Sequence, residues 1–195
     1  FKAVLFLGAG SVIIAMHHEQ DMRKMGGLRK YLPVTYLTML IGALANAGFP
    51  PFAGFFSKDS IVEAVHEAYA AGVPGAAFAY LAALGAVFVG GFYSFRLVFF
   101  TFHGKERFDT HGHDAHGHGL PHESPWVVTV PLVLLAIPSI GAGWVIGDFI
   151  FGGYFGDSIY IADAHEGIKK MAEEFHGVLP MVLHSVTTLP FWFAL

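Results

Sequence analysis

Apolar residues in this chain come in long blocks separated by polar ones. Residues 1–16 hold a single charge, Lys2, and residues 33–48, 76–102, 126–147 and 178–195 are further apolar runs. About 16 helical residues at 1.5 Å each cover most of a bilayer core of about 30 Å, so each block predicts a membrane-spanning helix. Residues 17–32 and 103–125 read as polar loops, and 148–177 mixes glycines, aromatics and charges. Within that stretch Ile168, Met171, Ala172 and Phe175 predict the apolar side of a short surface helix over 162–175. The expected fold is all-α: an integral membrane bundle of several transmembrane helices. Apolar runs stand at both ends of the chain, from Phe1 and up to Leu195, so a piece cut from a longer protein is expected.

One helical block is interrupted. Between Asn46 and Asp59 the chain reads Gly48-Phe49-Pro50-Pro51-Phe52-Ala53-Gly54, with Ser57-Lys58-Asp59 following. Two adjacent prolines remove two backbone donors and the glycines loosen the chain, so a discontinuous helix broken near 48–54 is predicted. Irregular backbone at membrane depth needs cover from protein or water, and a charge there is costly, which marks Lys58 and Asp59 as parts of an ion or proton path. The other reading is a surface loop with Lys58 snorkelling to the interface. Helical spacing resumes over 57–71, where Ser57 is expected to cap the half-helix and leave Asp59 in its first turn. Asp59, Glu63 and His66 or Glu67 then share one face, with the outer acids either part of the path or solvated. Lys2 is either an interfacial anchor or an intramembrane cation.

Composition agrees with a membrane protein. Hydrophobic residues make up 54%, charged residues 13%, and mean hydropathy is +0.55, outside the balance of a soluble domain. The absence of cysteine leaves no disulfide or thiolate metal site, and a net charge of −4 gives no footprint for nucleic acid. Gly85, Gly90 and Gly91 suit close helix packing within 76–102. Connecting segments carry Arg23, Lys24, Arg29, Lys30, Arg96, Lys105 and Arg107 on one side of the predicted topology, against Lys169 and Lys170 on the other, which sets the first side as cytoplasmic. Trp126 and Trp144 suit the two interfaces, and Pro131 and Pro138 are expected to kink their helix. His184, inside 178–195, either carries protons or packs helices. His111, His113, His116 and His118 lie between glycines with nothing to fix a ligand geometry, so a solvated loop is expected there.

Three stretches, Phe1-Lys2-Ala3-Val4-Leu5 running to Ile13, His17-His18-Glu19-Gln20-Asp21 running to Leu28, and Phe49-Pro50-Pro51 running to Asp59, resemble the antiporter-like subunits of respiratory complex I. The resemblance is specific over about the first 105 residues and rests on span order and the histidine loop beyond them. It implies two inverted repeats, each with a broken helix, of which residues 1–105 would be the later part of the second and 106–195 the histidine loop plus C-terminal transmembrane helices. It also implies that Lys2, Lys58 and Asp59 belong to a proton relay, with Lys58 exchanging its proton with the outer half-channel. No cofactor is expected in this chain; NADH, FMN, iron–sulfur clusters and quinone would belong to partner subunits. The expected partners are other membrane-arm subunits, above all a neighbouring antiporter-like subunit, and the lipid bilayer, in a bacterial inner membrane. Large subunits of multi-subunit cation/proton antiporters and of membrane-bound hydrogenases share these motifs. A metal transporter sensing through the histidine loop and a purely structural anchor are the readings of a different class.

Overall fold

The computed structural model describes residues 1–108, 120–145, 149, 154, 158 and 175–195. Seven α-helices stand among them: α1 (Lys2–Ala15), α2 (Pro33–Ala47), α3 (Ala53–Ala70), α4 (Ala76–Phe102), α5 (Trp126–Gly141), α6 (Val178–Ser185) and α7 (Leu189–Ala194). No strand occurs among the described residues. The histidine stretch 111–118, Lys169 and Lys170, and nearly all of the expected amphipathic helix 162–175 lie outside them.

Helix α4 is long and apolar enough to cross a bilayer, as is α5 taken with the 3-10 turn Ala142–Val145 that continues it. Only 28% and 22% of their most apolar windows are buried. A soluble core helix of that composition would hide itself, whereas these present Phe78, Leu81, Phe88, Phe92, Leu134 and Ile137 outward, as a lipid solvent requires. Pro131 and Pro138 both sit inside α5 without ending it.

Helices α1 and α2 run antiparallel. Ser11 meets Thr35, Gly8 lies against Met39, and Val4 and Leu5 lie against Gly42. Packing continues between α2 and both α4 and α5, and between α3 and α4. Two buried clusters fill the space. Val12, Leu28, Leu32, Met39 and Phe102 close the end where the 17–32 loop lies, and Val62, Leu84, Val87 and Ala194 join α3, α4 and α7 further along.

The two basic loops sit together, as the charge pattern requires. Gly27 N–H donates to His103 O at 3.2 Å, Lys30 pairs with Glu106 at 2.7 Å, and the Arg107 guanidinium bonds the Arg23, Met22 and Phe100 carbonyls. Gly26, at φ 134°, is required by this contact, since a Cβ there would overlap the Lys105 carbonyl. Arg96 is part of α4 rather than of a connecting segment, and its guanidinium lies 5.5 Å from the Phe100 ring centre.

Three expectations are corrected. Helix α3 begins at Ala53, four residues before Ser57. The extended residue Phe52 ends the proline turn and the helix starts at once, so Ser57 caps nothing. Its hydroxyl donates to Gly54 O, and Asp59 falls in the second turn rather than the first. The last apolar run is two short helices, not one, because Pro190 lacks an N–H and its ring would clash with the carbonyl four residues back. Thr187 and Thr188 hydroxyls take the His184 and Ser185 carbonyls at 2.7 and 2.8 Å. Regular α-helix in the 126–147 run stops at Gly141.

Candidate functional site

The site forms where α2 stops. In a continuous helix the Asn46 carbonyl would accept from the amide of residue 50 and Ala47 from that of residue 51, and both are prolines without one. The chain therefore turns. Gly48 adopts the left-handed conformation, at φ 85°, and its N–H bonds Ala45 O at 3.2 Å while Phe49 N–H bonds Leu44 O at 3.0 Å. This pair of bonds is a Schellman cap, and it leaves the Asn46 carbonyl without a backbone donor. The Lys58 ammonium supplies one, donating to Asn46 O from the second turn of α3. A cation at a helix C-terminus also faces the negative end of the backbone dipole.

Depth follows from α4. A Cβ built on Gly90 would lie 3.3 Å from Lys58 Nζ, so the amine rests against that glycine. Gly90 is about 21 Å from the Ala76 end of α4 and about 18 Å from the Phe102 end at 1.5 Å per residue, which is its middle. Lys58 is half-buried there. Asn46 extends the polar line. Its side-chain amide donates to Tyr93 OH and to Ser94 Oγ, each at 2.9 Å, and Ser94 Oγ donates to Gly90 O at 2.7 Å.

Gly54 brings the half-helices close, since a Cβ at that residue would overlap the Ala45 carbonyl oxygen and lie 3.3 Å from the Phe1 ring. The start of α1 thus stands beside the start of α3. Lys2, the next residue, is exposed at the level of the break.

Asp59 is half-buried and lines a different space. A cleft of about 610 Å3 is bounded by Asp59, Glu63 and His66 of α3, Tyr80 of α4, and His176 and His184 of the tail. The helical face expected from the sequence is thus gathered in one cavity, with Glu67 outside its lining. Lys58 and Asp59 are adjacent in sequence and do not share a surrounding.

Two features escaped the sequence reading. The partnership of Lys58 with the Asn46 carbonyl was detectable, because Pro50 removes the donor that carbonyl would have had. The other is Glu123, whose carboxylate accepts from Val34 N–H at 2.7 Å, Thr35 N–H at 3.2 Å and Thr35 Oγ1 at 2.6 Å. It caps α2 from the far end of the 103–125 loop. Pro33 at the first helical position signals where the open amides lie, and no local pattern signals what fills them. Ser11 Oγ completes the network at 2.8 Å from Thr35 Oγ1 and 2.7 Å from Ser124 Oγ.

Outside the spans, ionic pairs order the loops. A side-chain bond from Arg23 holds the Asp21 carboxyl down at about 2, and Lys24 and Lys30 lower Glu19 and Glu106 in the same way. Among the described residues no group of histidines and carboxylates has the geometry to hold a metal ion.

A family model described as NADH:quinone oxidoreductase/Mrp antiporter, TM, matches residues 1–98. Over 95% of its length the chain is 54% identical to NADH-quinone oxidoreductase subunit L of Neisseria meningitidis serogroup B, covering 29% of that protein. The same named subunit of Rhodobacter capsulatus is 48% identical over 82% of the chain, covering 22% of the relative. NADH-ubiquinone oxidoreductase chain 5 of Chondrus crispus is 41% identical over 98% of the chain, covering 28% of the relative. The chain spans less than a third of the length of these curated relatives.

Proposed function

Because the chain belongs to the NADH:quinone oxidoreductase/Mrp antiporter transmembrane family, we propose that it is a segment of a proton-translocating, antiporter-like membrane-arm subunit of NADH:quinone oxidoreductase. The single observation that carries this is the Lys58 ammonium held halfway along α4 on a carbonyl that the two prolines strip of its helical donor.

An amine at that depth, in a low-dielectric setting, exchanges its proton when neighbouring charge changes. Lys2 approaches from the α1 side and supplies protons toward Lys58. Asp59 receives on the opposite side, where the cleft begins. In this reading Lys2, Lys58 and Asp59 form the relay, α2 and α3 make one discontinuous span, and the whole is a multi-span bundle. Residues 1–105 are the later part of the second antiporter-like repeat, and 106–195 carry the histidine loop and the C-terminal spans. The redox chemistry belongs to partner subunits, which hold FMN, iron–sulfur clusters and the quinone site, and its energy reaches this chain as movement of charge along the membrane arm. A neighbouring antiporter-like subunit is the nearest partner, and the bacterial inner membrane the location. The family description also covers Mrp antiporters, but relatives at 41–54% identity carry complex I names, which favours the respiratory reading.

The test is proton pumping by inverted vesicles containing the complete complex with Lys58→Ala. Pumping coupled to NADH oxidation is expected to collapse. Full pumping at a normal oxidation rate would end the proposal.

A further inference from the structure

Successive helical residues point about 100° apart, and here that angle divides two environments. Lys58 reaches back to the end of α2, and Asp59 opens into the cleft. Beyond Asp59, Glu63 and His66 follow along the same wall toward the Ala70 end of α3, about 10 Å further at 1.5 Å per residue. The His66 ring lies 5.1 Å from that of Tyr80, at the head of α4. The facing wall is the tail. His184 occupies the last turn of α6, where Thr187, Thr188 and Pro190 interrupt the run, and it is exposed to the cleft that Asp59 lines. A cleft of that size lined by carboxylates and imidazoles admits water.

We propose that His184 is the proton acceptor facing Asp59, and that the break between α6 and α7 exists to present it there. This rests on the reading of Lys58 and Asp59 as a relay and adds its next member. The proton leaves the Asp59 carboxyl O–H, crosses cleft water to the unprotonated ring nitrogen of neutral His184 and regenerates the carboxylate. The imidazolium then releases a proton to water, with Glu63, His66 and His176 lining the way out. No electron pair is gained or lost by the chain. Imidazole suits the step because it both accepts and releases protons near neutrality.

The experiment uses vesicles of the complete complex, with proton movement followed during NADH oxidation. His184→Ala is expected to slow coupled pumping roughly tenfold or more, and added imidazole, entering the space left in the cleft, restores most of the rate. His184→Gln fills that space and keeps hydrogen bonding without carrying a proton, so it stays slow and responds weakly to imidazole. Wild-type pumping in either variant overturns the assignment, as does a loss in His184→Ala that imidazole leaves unchanged. Lys58→Ala serves as the reference: if it pumps fully the relay itself fails, and if it is inactive while His184→Ala is wild type, only the role of His184 falls.

Discussion

The ammonium of Lys58 donates to the main-chain oxygen of Asn46, a carbonyl that Pro50 has deprived of its helical partner. One side chain therefore closes the end of α2 and, in the proposed relay, carries the exchangeable proton, and substitutions can separate the two tasks. Lys58→Met leaves the carbonyl without a donor in a poorly hydrated site, at a cost of about 1–3 kcal/mol. Lys58→Arg keeps a cation on it but holds its protons permanently. The expected outcome is a lowered thermal midpoint for the methionine variant, a midpoint near wild type for the arginine variant, and no pumping by either. Pumping by Lys58→Arg at the wild-type rate would show that proton exchange at this amine is dispensable.

Gly90 gives a test through a neighbour. A Cβ on Gly90 meets Lys58 Nζ at 3.3 Å, whereas one on Gly85 of the same helix meets nothing within 4 Å. Gly90→Val adds branches where the ammonium sits and displaces it from the Asn46 carbonyl, so pumping is expected to fall several-fold in a complex that still assembles, with about 1–3 kcal/mol of overpacking strain. Gly85→Ala should pump normally and gain slightly in helix stability. Equal pumping by both variants, measured in the same vesicles, contradicts the packing of Lys58 on α4.

The sequence carried α4 from Ala76 to Phe102 residue for residue, because an apolar run broken by one charge, Arg96, between Gly75 and His103 leaves the helix no other bounds. It carried the break too, since prolines act locally. It misplaced the start of α3, because the capping preference of serine gave way to the extended Phe52 that ends the proline turn. Pro190 was visible in the last apolar run, but the run's hydrophobicity outweighed it. The side of the site made by α4 was not legible at all. Asn46 meets Tyr93 and Ser94 across 47 and 48 residues, and Glu123 meets Thr35 across 88, and only the packing of helices brings such pairs together.

The basic loops should respond to acid. Asp21 is held at about 2 against an ordinary 3.8 by Arg23, and Glu106 is lowered by Lys30. A carboxylate whose folded pKa is depressed favours the folded arrangement above its ordinary value and loses that contribution as pH falls through the folded one. The pairing of Asp21 with Arg23 is therefore full at neutral pH, weakens as pH falls below about 4 and is lost only below about pH 2. Amide exchange at Arg23, whose N–H bonds the Asp21 carboxylate at 2.9 Å, should show protection at pH 6 that is clearly reduced at pH 2 and lost below it. Glu106→Gln should leave Arg23 protected while loosening Lys30, and molar salt should weaken both pairs because they are solvent-exposed. Protection at Arg23 that persists unchanged at pH 2 would assign the turn to backbone bonds alone.

Glu123 is the least expected of the residues that hold the site in place, and its removal has a directional consequence. Its carboxylate satisfies two open amides at the start of α2 and the hydroxyl of Thr35, and Ser11 and Ser124 bond within the same buried group. Helix α2 is thereby pinned at the end opposite Asn46, and α1, which carries Lys2, is tied to it through Ser11. Glu123→Ala removes a charged cap and leaves the Thr35 hydroxyl in a pocket where that residue is 0% exposed. A loss of about 2 kcal/mol is expected from the cap. Glu123→Gln keeps one acceptor oxygen and should lose about half as much. Thr35→Val, which keeps the two amide bonds to Glu123 and removes only the hydroxyl, should be the mildest of the three. Thermal unfolding of the detergent-solubilised complex gives the order directly. Should Glu123→Ala melt with the wild type, the loop would contribute nothing to the seating of α2, and the level of Asn46 beneath Lys58 would have to be set by α1, α4 and α5 alone.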